Sequence, residues 1–186
     1  MEPKPSHALP KQLQCVVLAG GYGTRLAPLT DNCPKIMVPV LGRPFAYWQL
    51  DLMKKWGVTE VVYCVNHLAH KVRELGDDYK GIRLLYSEEK NRPPDALWKF
   101  AVRNALPLLD EEFLLMYGDS YLPDVDIDSV KAFGPSLITS WQGIDYGLWH
   151  CHRSEFAFAE LQIIERFHEI GSLEGLVELE AYLQNR

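Results

Sequence analysis

Cys15-Val16-Val17-Leu18-Ala19-Gly20-Gly21-Tyr22-Gly23-Thr24-Arg25-Leu26 is the stretch whose reading decides the fold. Its first five residues are apolar without a break, as in a strand covered on both faces, where neither side meets water. The run ends in three glycines within four positions, Gly20, Gly21 and Gly23, where absent side chains let backbone N–H groups approach an anion. Leu18, Ala19, Gly20, Gly21, Gly23, Thr24 and Arg25 therefore read as a phosphate-binding turn at the end of a first parallel strand. Glycines alone fit a tight turn needing positive φ equally well. The run is not GxxxxGK[ST], and it is not GxGxxG, because Leu26 stands where the third glycine would be.

Downstream, Pro28, Pro34, Pro39 and Pro44 predict an extended stretch, after which Phe45, Trp48, Leu52 and Trp56 recur at spacings of three and four, one face of a helix that Gly57 ends. A strand from Glu60 to Val65, a helix from His70 to Leu75, a strand from Ile82 to Tyr86, a helix from Ala96 to Ala105 and a strand from Phe113 to Tyr117 continue a β-α-β rhythm. The fold class expected is α/β, a doubly wound, mostly parallel sheet of Rossmann-like kind. Ligands of such a sheet gather beyond the C-terminal ends of its strands, and Gly118-Asp119-Ser120 stands at one of those ends. The remainder predicts a helix from Ile127 to Phe133, strands near Leu137 to Thr139 and Gly147 to His150, and a helix from Leu176 to Leu183. Trp141-Gln142-Gly143 is too short for a parallel crossover, so a hairpin or a bent strand is expected there.

The 186 residues carry 25 acidic and 19 basic side chains, a net charge of -6. That balance excludes the broad basic field that nucleic acid or an anionic membrane surface attracts. Cys15, Cys33, Cys64 and Cys151 form no CxxC pair, and two of them sit in apolar runs, so reduced thiols and a cytoplasmic location are expected. No window is long and apolar enough for a signal peptide or a membrane span. Residues 1–13 read as a flexible tail and residues 14–186 as one domain.

Arg25 is followed by Pro28-Leu29-Thr30, Pro34-Lys35, Met37-Val38-Pro39 and Gly42-Arg43-Pro44. Over residues 18–44 this resembles the signature LAGGxGTRLxPLTxxxPKxMxPVxGxP of the sugar-phosphate nucleotidylyltransferases, whose fold is GT-A-like. The likeness extends through Gly118-Asp119-Ser120, Ile144-Asp145-Tyr146-Gly147-Leu148 and Arg166 to Gly175. The resemblance implies a domain with a nucleotide half, about 14–125, and a sugar-side half, about 126–186. It implies as substrates a nucleoside triphosphate and a sugar 1-phosphate, and Mg²⁺ as cofactor. Arg25 would then grip triphosphate oxygens and Lys35 would neutralise the transferred phosphoryl group, while Asp119 and Glu169 would hold the metal. As surface features the same residues would be solvated cations, a turn-closing aspartate and a glutamate at a helix start.

Two departures from the pattern fall in ligand-contacting regions. Relatives carry a glycine-rich segment before the third helix, where this chain has Arg92-Pro93-Pro94-Asp95-Ala96-Leu97, and no lysine follows Lys131 where relatives place one on the sugar phosphate. Arg153 or Arg166 is a candidate substitute for that lysine. The sugar-side half is also shortened, which removes core surface, so marginal stability or a homo-oligomer is expected. Two readings follow: an Mg²⁺-dependent enzyme of short build, and a nucleotide-binding relative without turnover that serves as a regulatory or partner subunit. His67, His70, His150 and His152 form no metal-ligand set of known spacing, and Trp48, Trp56 and Trp98 read as packing residues.

Overall fold

The computed structural model describes residues 12–91, 93, 98–132, 137–141, 144–153, 160–163 and 168–185. Residues 1–11 of the expected tail lie outside them, as do residues 92 and 94–97, Phe133, Arg166 and Phe167. The first half contains β1 (Leu13–Leu18), β2 (Pro39–Val40), β3 (Arg43–Pro44), α1 (Phe45–Lys55), β4 (Val58–Val65), α2 (Ala69–Val72), β5 (Asp78–Tyr79) and β6 (Ile82–Glu88). The second contains α3 (Trp98–Ala105), β7 (Glu112–Tyr117), β8 (Ser120–Tyr121), α4 (Ile127–Ala132), β9 (Leu137–Trp141), β10 (Ile144–His152), β11 (Glu160–Ile163), β12 (His168–Glu169) and α5 (Leu173–Gln184).

β1 lies between β4 and β7 and runs parallel to both, with Val16 opposite Val62 on one side and Leu115 on the other. β6 extends the parallel set beyond β4, and the full order is β11-β9-β10-β7-β1-β4-β6-β5. Of the hairpin and the bent strand expected around Trp141, the structure has the hairpin: β9 and β10 pair antiparallel, with Trp141 opposite Ile144. Side chains alternate across the sheet. Cys15 and Val17 of β1 and Leu114 and Met116 of β7 face one apolar cluster, with Phe45, Leu50 and Met53 of α1 and Leu179 of α5. Val16, Cys64, Phe113 and Leu115 face a second cluster, with Ala101, Val102 and Ala105 of α3. Helices therefore cover both faces, as the apolar runs require.

The proline-rich stretch is not extended throughout. Short 3₁₀ turns occupy Thr24–Leu26 and Lys35–Met37, and β2 and β3 form a small hairpin. A proline's fixed φ suits the start of such a turn as well as an extended chain, and Met37 N–H donates to Pro34 O at 2.7 Å. α5 begins at Leu173, three residues earlier than the apolar spacing indicates, because Ser172 Oγ accepts from Gly175 N–H at 3.1 Å and caps the first turn. The sequence pattern also leaves out β5, β8 and β12, whose two-residue lengths carry no periodicity. Among the described residues, no helix is long and apolar enough to cross a membrane.

All four cysteines are free thiols. Burial pushes the Cys64 and Cys151 thiols up to about 12 and raises Cys15 further still. Cys33, half-buried, is raised chiefly by burial as well. A thiol raised in the fold favours the folded state fully below the ordinary thiol value of about 8.5, and that contribution is lost as pH rises toward 12. A disulfide-exchange reagent at pH 7 should label Cys33 first and reach the other three only on addition of denaturant. Rapid native labelling of Cys15, Cys64 and Cys151 together would contradict this core.

Candidate active site

From β1 the chain moves outward to β4 and β6, then returns to β7 on the opposite flank of β1. The connections leaving β1 and β7 consequently part, and a crevice opens beyond their C-terminal ends. Gly118 N–H donates to Leu18 O at 3.1 Å and closes its floor. The cavity holds about 290 Å³. Its lining includes Leu18, Ala19, Gly20 and Gly21 of the first strand's end, the charged Lys35, Glu89 and Asp119, and the side chains of Trp98, Ala101 and Tyr117.

Lys35 reaches the cavity because the glycine turn is pressed against its stem. Gly23 has φ of +66°, and a Cβ there would lie 2.9 Å from Thr30 Cγ2 and 3.3 Å from Lys35 Cβ. The turn is pinned by Thr30 Oγ1, which donates to Gly23 O at 2.8 Å. Lys35 Nζ donates to Asp119 Oδ2, and with side-chain exposures of 17% and 24% the pair is largely shielded from water. A pair this sheltered is screened less than a surface ion pair.

Asp119 is held from two directions. Gln49, fully buried on α1, donates through Nε2 to Tyr117 O at 3.2 Å and Ser120 O at 2.8 Å, the carbonyls that bracket Gly118-Asp119. From the other side β12 pairs with β8, placing Glu169 opposite Ser120, and Ile170 N–H donates to Asp119 O at 3.0 Å. Fifty residues of chain separate Asp119 from Glu169, yet this two-residue ladder makes them neighbours. Gly171 permits it: a Cβ there would collide with Glu169 Oε2 and lie 3.0 Å from Arg25 Nη2. The Glu169 carboxylate and the exposed Arg25 guanidinium thus close around a glycine.

The structure therefore places Leu18, Ala19, Gly20, Gly21, Lys35 and Asp119 on one cavity. Gly23, Thr24, Arg25 and Glu169 stand outside its lining, with Arg25 and Glu169 adjoining each other at Gly171. Arg153 does not substitute for the missing lysine. Its Nη1 donates to Leu109 O at 3.1 Å and its N–H to Glu111 O, just before β7 begins, whereas the cavity lies past the other end of that strand. Sequence reasoning missed Glu89, Trp98 and Gln49. Glu89 directly follows β6, so the strand-end rule that singled out Asp119 applies to it equally. Trp98 does pack, with its ring 5.4 Å from that of Trp149, but it also walls the cavity. Gln49 carries no sequence signal beyond being polar in a helix whose neighbours are buried.

A family model described as Nucleotidyl transferase matches residues 14–128, more than half of the chain. Among curated proteins, the D-glycero-alpha-D-manno-heptose 1-phosphate guanylyltransferase of Campylobacter jejuni is 30% identical over 64% of this chain and 52% of its own length. The N-acetylmuramate alpha-1-phosphate uridylyltransferase of Neisseria meningitidis is 37% identical over 67% of this chain and 54% of its own. The chain thus spans about half the length of these curated relatives. Among solved structures, HddC from Yersinia pseudotuberculosis complexed with GMP-PN superposes with a TM-score of 0.75 at 17% identity, covering 92% of this chain and all of that one. At that identity the likeness is one of fold.

The two hydrogen bonds of Gln49 to the Asp119 turn set a measurable order of stability. Gln49→Leu leaves two carbonyls without their donor and should cost about 1 to 3 kcal/mol in denaturant unfolding. Gln49→Glu places a carboxylate against two carbonyl oxygens and should cost more at pH 7 than the leucine does. Wild-type stability in Gln49→Glu would show that the turn is held by something else.

Proposed function

The chain belongs to the nucleotidyl transferase family, and from that premise we propose that it transfers a nucleotidyl group from a nucleoside triphosphate to a sugar 1-phosphate, releasing pyrophosphate. The observation that carries the reading is the cavity at the parting of β1 and β7, where a glycine turn, Lys35 and Asp119 face one space. In the reaction an oxygen of the sugar phosphate forms a bond to the α-phosphorus. The bond from that phosphorus to the bridging oxygen breaks, and pyrophosphate leaves with the electron pair. Two polyanions must meet for this, so the protein's task is to neutralise charge and align the attack.

The backbone N–H groups of the Gly20-Gly21 turn suit the phosphate chain, since Gly21 has nothing within 4 Å of where a Cβ would stand. Arg25 is exposed and forked, fitted to bind the departing β- and γ-phosphates on two oxygens. Asp119, in the turn before β8, and Glu169, on β12 paired with β8, offer hard oxygen donors. Among the described residues, no group of three or more His, Cys, Asp or Glu is placed to hold a metal. One or two carboxylates completed by substrate oxygens is the donor set that Mg²⁺ takes, so Asp119, with Glu169 beside it, fits that ion rather than zinc. When bound there, Mg²⁺ would supply positive charge to the triphosphate. Asp119 would hold the ion, and Lys35, whose Nζ donates to Asp119 Oδ2 at the cavity, would neutralise the α-phosphoryl oxygens. The cytoplasm is the compartment proposed, on the ground that all four thiols are free.

A pyrophosphate-release assay across nucleoside triphosphates and heptose, mannose and glucose 1-phosphates tests the proposal. Asp119→Asn keeps the shape and removes the charge, so Mg²⁺-dependent release should fall to background while the far-ultraviolet circular dichroism is unchanged. Full turnover in that variant would defeat the role given to Asp119. Arg25→Ala should weaken triphosphate binding by about 1.5 to 3 kcal/mol, the value of hydrogen bonds to a charged group. Equal affinity in calorimetry would take Arg25 out of the site.

A further inference from the structure

Leu41 and Gly42 make the two-residue turn between β2 and β3, with φ of +50° and +73°. A hairpin turn with two positive φ values favours Asn-Gly, because a short polar side chain tolerates the left-handed region and a larger apolar one is crowded there. Leu41 is nevertheless a leucine, and at 36% exposure its side chain gains little from burial within its own fold. An outlier of this kind is accounted for when the side chain has a partner outside the chain.

The turn stands between two helices. Toward α1, Trp48 Nε1 donates to Val40 O at 3.1 Å, and the Arg43 guanidinium lies 5.3 Å from the ring centres of both Tyr47 and Trp48. Toward α5, Leu41 N–H donates to Glu180 Oε1 at 2.9 Å. α5 buries Gly175 and Leu179 and turns Leu173 and Val177 outward, at 47% and 65% exposure, with the exposed Ala181 next in line. Their spacing of four makes one apolar stripe along the helix, which Glu180 borders. Charge divides this face. Glu174 and Glu178 are exposed on α5, Glu180 stands beside Leu41, and α5 has no basic residue. On the α1 side Arg43 and Lys80 both bind Asp51, and Lys54 and Lys55 are exposed, so cations outnumber Asp51 and the neighbouring Asp78.

α5 would repel a second α5 laid against it and attract the α1 edge. A twofold rotation satisfies both conditions at once, since it sets each copy's α5 over the other's α1. The apolar stripe then meets the half-buried Tyr47 and Trp48, and the two Leu41 side chains lie near the axis. We infer that this face is a self-complementary docking surface whose occupant is a second copy of this chain, related by a twofold axis near the β2–β3 turn. The contact uses no residue given a part in nucleotidyl transfer and is independent of that reading.

Sedimentation velocity of the whole protein, from about 1 to 100 μM, tests it. The wild type should pass from the mass of one chain to that of two. Leu41→Asn suits the turn, so the melting temperature of the monomer should hold or rise while the dimer dissociation constant increases about tenfold or more. Val177→Glu, on an exposed position, should weaken the dimer at least as much. Lys54→Glu/Lys55→Glu gives a chain with two acidic edges, and Glu174→Lys/Glu178→Lys one with two basic edges. Each should be monomeric alone, and the two mixed should form a one-to-one dimer, which a merely structural role for these residues would not produce. A wild type that stays monomeric throughout overturns the proposal. So does a dimer that Leu41→Asn and Val177→Glu leave unchanged, a mixture that does not associate, or growth into open chains.

Discussion

The parallel pairing of β1 with β4 on one side and β7 on the other is the constraint on which the rest of this molecule depends. A strand in that position has no free edge, so its backbone is spent on the sheet and its side chains on two cores. The chain that leaves it must therefore begin at one sharply defined point, just past Leu18. Because β7 joins on the flank opposite to β4, the chains leaving β1 and β7 diverge, and a cavity opens between them. The glycine turn, Lys35, Glu89 and Asp119 all reach that space from strand ends or the loops that follow them.

What surrounds the crevice is arranged by close approaches rather than by large contacts. The β8–β12 ladder has two residues in each strand, yet it joins parts of the chain fifty residues apart and carries Glu169 beside the Asp119 turn. It is steadied by α5, whose cap at Ser172 starts the helix directly behind β12, and where His168 and Tyr182 bring their rings to 4.2 Å. Gln49 supports the same turn from within the core. Its two donated hydrogen bonds go to the carbonyls of Tyr117, at the end of β7, and Ser120, in β8, and those bonds are why a polar side chain is tolerated at 0% exposure on an otherwise apolar helix face.

Charge at the site is distributed in opposed pairs. Lys35 meets Asp119 and Arg25 adjoins Glu169, so each cation that a triphosphate would use has a carboxylate nearby. Such an arrangement avoids a bare cluster of like charge.

The first strand, the glycine turn and the alternation of strands with helices through Tyr117 were all legible in the residues. Long apolar runs and helical spacing are local signals, and the 18–44 signature is contiguous. Trp98 and Gln49 were not legible, because nothing in their immediate neighbours distinguishes a residue that walls a cavity or braces a turn from one that packs a core, whereas Glu89 stands at a strand end that the same rule as for Asp119 picks out. Arg153 shows the converse: its charge made it a candidate, and its hydrogen bond to Leu109 O puts it beyond the wrong end of the sheet. The sequence by itself determined the sheet's interior and the chemistry available at its strand ends, since burial on two faces and a run of glycines each leave a local mark. Only the tertiary structure decided which of those ends meet. The β8–β12 ladder and the return of β7 to β1 are pairings between distant segments, made by backbone groups that every residue carries alike.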